Sequence, residues 1–350
     1  MVIRGRAPLR VSFGGGGTDV APFCVEQGGA IIGSTINKYA YCSIVPREDD
    51  QIIVHSLDFD MTVKYNAKEN FVYDGRLDLV TAALKAMDIN QGCEVYLQCD
   101  APAGSGLGTS STVMVSLLTA MARWKGVEMD AYRLADLAYQ VEREDLKIDG
   151  GYQDQYAATF GGINFIEFHG RNNVVVNPLR IKKDILHELQ YNLLLCYTGN
   201  IHVSANIIKD QVKNYEKKDA FDAMCEVKAL AYAMKDELLK GNLLDYGWQS
   251  KKRMSSKITN PQIDELYDEA IKAGALGGKL LGAGGGGYLL MYCPYNVKHK
   301  VAARMEQMGG QLADWNFELR GAQSWIADEN RWNYNEVKVH LPNGDYEFKL

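Results

Sequence analysis

Residues 100–124 read DAPAGSGLGTSSTVMVSLLTAMARW. Glycines stand at 104, 106 and 108, hydroxyl side chains at 109–112, and an apolar run follows. Val113, Val115, Leu117, Leu118 and Met121 recur at helical spacing, which predicts a buried helix from Thr112 to Trp124. A helix N-terminus carries unsatisfied N–H groups and a partial positive charge, so it attracts anions. Gly104, Gly106 and Gly108 remove side chains that would block a phosphate, and they permit positive φ. Thr109, Ser110 and Ser111 place hydroxyls where they can cap the helix, hold a phosphate oxygen or ligate Mg2+. An ordinary glycine-rich turn with Ser/Thr capping has the same composition, so this stretch alone leaves both readings open.

Working outward, EVYLQCD (94–100) is a strand that feeds straight into the glycines. Before it, LRVSF, AIIGSTI, YAYCSIV, QIIVHSL and MTVKY are short, β-branched or aromatic, and separated by Gly, Pro, Asp or Asn, which predicts further strands. After it, residues 130–147 read as a second helix and GGINFIEFHG as a strand element. The polar stretch NPLRIKKDILHEL (177–189) suggests a boundary between a domain over 1–185 and another over 186–350. The second half opens with the strand NLLLCYTG and turns helical from about 206 to 239 and again over 262–273. A strand at GGYLLMYC, a helix over 296–308 and a terminal hairpin at EVKVHLPNGDYEFKL complete it. The pattern is α+β in both halves, without strict βαβ alternation or internal repeats.

Composition narrows the function. The chain has 350 residues, 47% of them hydrophobic, and a formal charge of −6. That acidic balance argues against a nucleic-acid partner and favours a small-molecule substrate. No apolar run approaches the roughly 18 residues a membrane span needs, and the N-terminus lacks the apolar core of a signal peptide, so a cytoplasmic protein is expected. Seven cysteines without a CxxC pair read as reduced core residues, and six histidines form no HExxH arrangement. The sequence is silent on oligomeric state.

Two further glycine segments stand beside strands: RAPLRVSFGGGGTDV (6–20) and GKLLGAGGGGYLL (278–290). The second contains a GxGxxG, but a strand rather than a helix follows, so it reads as two strands joined by a loop that lets a backbone or ligand come close. No Walker A motif occurs.

Taken in order, APLRVSFGGGGTD, PAGSGLGTSS and KLLGAGGGGYLLM resemble the three motifs of the GHMP kinase superfamily, over residues 7–292. The resemblance implies a two-domain α+β fold, with an N-terminal mixed-sheet and helix domain and a C-terminal ferredoxin-like α+β domain. It implies ATP and Mg2+ as cofactors and makes Pro102–Ser111, with Gly104, Gly106, Leu107, Gly108, Thr109 and Ser110, the phosphate loop. Glu142 stands twelve residues before Asp154, as in the galactokinase-like branch. By position, Asp154 becomes the candidate general base, Arg10 its neighbour at the reacting oxygen, and Ser110 and Glu142 the Mg2+ ligands. Asp19, nine residues after Arg10, would accept from sugar hydroxyls, and Gly16, Gly17, Gly284 and Gly285 would lie against substrate.

Galactokinases carry Glu-His where this chain has Gly16-Gly17, which removes polar sugar contacts. The first motif, followed by GGAIIGSTINKYAY, most resembles the branch that phosphorylates D-glycero-D-manno-heptose 7-phosphate at its anomeric hydroxyl. A sugar phosphate substrate needs cationic partners, for which Lys38 and His202 are candidates. A kinase of fucose or galactose, and a non-catalytic sensor of ATP and sugar, are the alternatives.

Overall fold

The computed structural model describes residues 1–69, 71–170, 173–199, 204–238, 240–327, 336–341 and 344–349. His202 lies outside them.

The first sheet is mixed. Its main path runs Gln323–Ala327, Val2–Gly14, Gly29–Pro46, Cys93–Cys99, Gln51–Ser56 and Met61–Asn66. Only Gln51–Ser56 and Cys93–Cys99 run parallel, and Ile163–Phe168 and Val174–Pro178 extend the sheet from the first half of Gly29–Pro46. The two strands expected at AIIGSTI and YAYCSIV are one strand of 18 residues. Asn37 and Lys38 do not turn the chain: the first half pairs with Ile163–Phe168, the second with Cys93–Cys99, and both stay on Val2–Gly14. Register shifts between Pro8 and Arg10 and between Ser12 and Gly14 take up the bend, which is how bulges re-aim side chains. Arg10 lies between them.

The predicted central helix spans Thr109–Lys125 and ends at Gly126 in the left-handed conformation. Met114, Val115, Leu117, Leu118 and Met121 are fully buried, each contributing about 1.5–3 kcal/mol. The helix lies so close to the sheet that a Cβ on Gly5 would stand 2.4 Å from the Ser116 carbonyl. The helix expected over 130–147 is regular only through Ala131–Tyr139, where Asp130 caps Arg133 N; Gln140–Asp145 then form a π turn. Such turns insert an extra residue, often at functional sites. Here the turn carries Glu142, which is fully buried.

The second sheet is antiparallel, in the order Gln311–Leu312, Leu193–Tyr197, Tyr288–Tyr292, Gly277–Leu280. Its two central strands bury Leu193, Leu194, Leu195, Leu289, Leu290 and Met291. The expected pair around GKLLGAGGGGYLL is thus present. The polar stretch near 183 is a helix, Lys183–Asn192, and Asn242–Met254 is another that the periodicity reading passed over. The helical region after 206 divides into Ser204–Asn214 and Lys218–Asp236. Glu336–Leu341 and Gly344–Lys349 form the expected terminal hairpin. Among the described residues no helix is long and apolar enough to cross a membrane, and all seven cysteines are free.

Candidate active site

The three glycine segments meet. A Cβ on Gly106 would lie 2.6 Å from the Leu281 carbonyl, and one on Gly282 would lie 2.5 Å from Gly106 Cα. Tyr288 N donates to Ser105 O at 3.1 Å, and Arg10 N to Leu107 O at 3.1 Å. Only glycine permits this stacking of loop on loop, and Gly106 also needs its φ of +82°. Beside the junction lies a cavity of about 450 Å³, a size suited to a small ligand. The second glycine segment contributes Gly104, Gly106, Gly108, Thr109, Ser110 and Ser111 to its lining. Arg10, Gly17, Asp19, Glu142 and Asp154 face it from other elements.

Arg10 and Asp154 form its centre. Arg10 Nε and Nη2 both reach Asp154 Oδ1 at 2.7 Å, and Nη1 donates to Gly106 O at 2.5 Å. Asp154 sits in the first turn of Gln153–Phe160, with its Cγ 3.1 Å from where a Gly108 Cβ would be. The acid therefore faces the N-terminus of the Thr109–Lys125 helix directly.

Glu142 closes one side. Ser110 Oγ donates to Oε1 and Ser111 Oγ to Oε2, each at 2.6 Å, and Gln155 Nε2 donates to Oε2 at 2.7 Å. Arg143 Nη1 stands 3.5 Å from Oε1, and Nη2 donates to Ser111 Oγ at 3.0 Å. Asp19 is fully buried and accepts from Gly17 N at 3.2 Å and Gln153 N at 3.1 Å. Burial pushes its carboxyl above the ordinary range; the Gln153 N–H opposes this, and the Asp154 charge adds to it.

Not every expected residue arrives. Lys38 is half-buried on Gly29–Pro46 and is not among the residues lining this cavity. Gly284 and Gly285 pack on Ile258, whose carbonyl accepts from Gly285 N at 2.8 Å. A Cβ on Gly16 would face Ser12 Oγ at 3.6 Å. Pro102 and Leu107 shape the loop without lining the cavity.

The residue that sequence reasoning missed is Lys251. It lies on Asn242–Met254, is 4% exposed, lines the cavity and donates to the Gly282 carbonyl. Burial, reinforced by Arg10 and opposed by Asp19, brings its ammonium down to about 8. Behind it Lys279 is also buried, with Nζ 3.2 Å from Ser12 Oγ. Burial first, then Lys251 and Arg10, hold it well below the ordinary lysine range. The signal in the sequence was the spacing: Leu244, Trp248 and Lys251 share one helix face.

A glycine-rich loop at a helix N-terminus, an Arg-held carboxylate facing it and a buried glutamate beside its hydroxyls are parts that suit a phosphotransferase. The chain belongs to the GHMP kinase family. The profile of GHMP kinases N terminal domain matches residues 77–162, and that of GHMP kinases C terminal matches residues 227–310. ATP is this family's phosphoryl donor. The chain is 36% identical to D-glycero-alpha-D-manno-heptose 7-phosphate kinase of Campylobacter jejuni, over 92% of this chain and 98% of that one. It is 28% identical to the L-fucokinase/L-fucose-1-P guanylyltransferase of Bacteroides fragilis, over 83% of this chain and 34% of that protein. A solved structure named as a D-glycero-D-manno-heptose 1-phosphate kinase from Bacteroides thetaiotaomicron superposes with a TM-score of 0.79 at 32% identity, covering 93% and 99% of the two chains.

Proposed function

We propose that the chain transfers the γ-phosphoryl group of Mg·ATP to the anomeric hydroxyl of D-glycero-D-manno-heptose 7-phosphate, giving the 1,7-bisphosphate. The observation that carries this reading is the Arg10–Asp154 pair facing the phosphate loop. Arg10 takes up Oδ1 with both of its bonds, which leaves Oδ2 to accept from an incoming hydroxyl. As the sugar oxygen bonds to the γ-phosphorus, its proton passes to Asp154, and the bond from phosphorus to the β-bridging oxygen breaks with its electron pair leaving on ADP. Helix N-terminal N–H groups and Arg10 bear the charge on the transferring oxygens. Asp19 accepts from sugar hydroxyls, and Gly17 leaves room for the ring.

The residues also suit Mg2+. Ser110 Oγ and Glu142 are hard oxygen donors 2.6 Å apart at the loop, the donor chemistry this cation prefers. Held there by Ser110 and Glu142, the cation would supply positive charge to offset that of the phosphate groups. Glu142 is held by Ser111 and Gln155 in one orientation for that purpose.

The heptose phosphate rests on the two heptose phosphate kinases among these relatives, whose names place the existing phosphate at different carbons. The test is ADP release from Mg·ATP with heptose 7-phosphate, heptose 1-phosphate, L-fucose and D-galactose as acceptors. Turnover on the 7-phosphate alone is the expected result. Turnover on the 1-phosphate or a free sugar would replace the substrate, and sugar binding without turnover on any acceptor would make the protein a sensor.

A further inference from the structure

We infer that Lys251 is a phosphate-binding group of this cavity, its ammonium contacting an anionic oxygen of the bound ligands. Cations in the cavity differ in what already holds them. Arg10 is tied to Asp154 and the Gly106 carbonyl. Arg143 is tied to Glu142, Ser111 and the carbonyls of Ile148 and Asp149. Lys251 has one hydrogen-bond partner, the neutral carbonyl of Gly282, and among the described residues no carboxylate lies within ion-pair distance of it.

An ammonium taken out of water without a counter-charge is costly. Among the described residues Arg10 and Lys279 oppose its charge, and the Asp19 carboxylate, beyond ion-pair distance, offsets this only in part. An arriving anion would supply the rest. The location agrees: Gly282, which accepts from Lys251, stacks directly on Gly106 of the phosphate loop. Lys251 thus stands where the helix N-terminus, Arg10 and the third glycine segment converge. The second half of the chain contributes this charge to a loop built by the first.

A phosphate oxygen there has two sources: the group being transferred, or the phosphate that the acceptor already carries. The latter rests on the heptose phosphate reading. Both are resolved with Lys251→Met and Lys251→Arg. Two measurements are needed: steady-state kinetics with heptose 7-phosphate and with unphosphorylated heptose, and equilibrium binding of Mg·ADP with aluminium fluoride as a mimic of the transferring group. A loss of roughly 10- to 100-fold in kcat on either acceptor, with equally weakened aluminium fluoride binding in Lys251→Met, assigns Lys251 to the transferred group. A rise of that size in KM for the 7-phosphate alone, with aluminium fluoride binding unchanged, assigns it to the acceptor's phosphate. Lys251→Arg, which keeps a cation, should recover part of either loss. Unchanged kcat, KM and aluminium fluoride binding in Lys251→Met would overturn the inference. If the wild-type chain turned over neither heptose, the substrate reading would fall. Lys251 would then be judged by aluminium fluoride binding alone, and unweakened binding in Lys251→Met would overturn its role.

Discussion

Replacing Lys251 by Met should make the protein more stable at neutral pH. Lysine ordinarily titrates at 10.5, and burial brings Lys251 down to about 8 in the folded chain. At about 1.4 kcal/mol per pH unit, that interval corresponds to roughly 3 kcal/mol by which the charged lysine penalises the folded state at pH 7. Methionine is similar in length and carries no charge. Losing the bond to the Gly282 carbonyl takes back about 1 kcal/mol, which leaves a net gain of about 2 kcal/mol. The sign with pH follows from proton counting. Between about pH 8 and 10.5 the folded chain binds fewer protons at Lys251 than the unfolded chain, so the wild type gains stability as pH rises across that window. Below pH 8 the penalty is present in full. Urea unfolding of both proteins at pH 7 and pH 10 reads this out: the advantage of Lys251→Met should be largest at pH 7 and mostly gone at pH 10. A variant less stable at pH 7, or a difference that does not change with pH, would refute the reasoning. Greater stability alongside impaired catalysis is the usual trade when a functional group is held at a cost to the fold.

Two further outcomes follow from the geometry. Asp154→Asn should lower kcat by about 10²–10⁴ with KM for the acceptor little changed, because the amide cannot take a proton. Its oxygen can still accept both Arg10 bonds now made to Oδ1, so unfolding free energy should fall by only about 1–2 kcal/mol. Near-normal turnover would remove Asp154 as the base. Ser110→Ala should raise the Mg2+ concentration needed for half-maximal turnover while leaving acceptor KM alone, since Ser110 Oγ is the hydroxyl 2.6 Å from Glu142 Oε1. A Mg2+ dependence identical to wild type would refute its place in the metal set.

The glycine loop at 104–108 and the helix after it were legible because their signals are local. Glycines at alternate positions, hydroxyls at the first helical turn and apolar residues at helical spacing act within one segment. The strand pair around GKLLGAGGGGYLL was legible for the same reason: short apolar β-rich runs bracket a glycine loop. The long strand Gly29–Pro46 was not, because Asn37 and Lys38 look like a turn until two different partners are seen on its two halves. Glu142 and Asp154 could be picked out only through a resemblance. By themselves they are two acids on helices, and solvation would account for either.

By itself the sequence determined the class of fold, the three glycine segments and the helix that the second of them opens. Those follow from backbone freedom, period and cap chemistry, which neighbours in the chain decide. Tertiary structure alone decided which charges share a cavity. The π turn that buries Glu142, the convergence of Gly106 on Gly282, and the delivery of Lys251 from a helix in the second half all depend on contacts between distant segments. Lys251, Lys252 and Arg253 are neighbours in the sequence. In the fold Arg253 pairs with Asp219 and Glu226, while Lys251 lies on the buried face with Leu244 and Trp248. Burial is a property of packing, and packing is what turns an ordinary lysine into a charge held in a binding cavity.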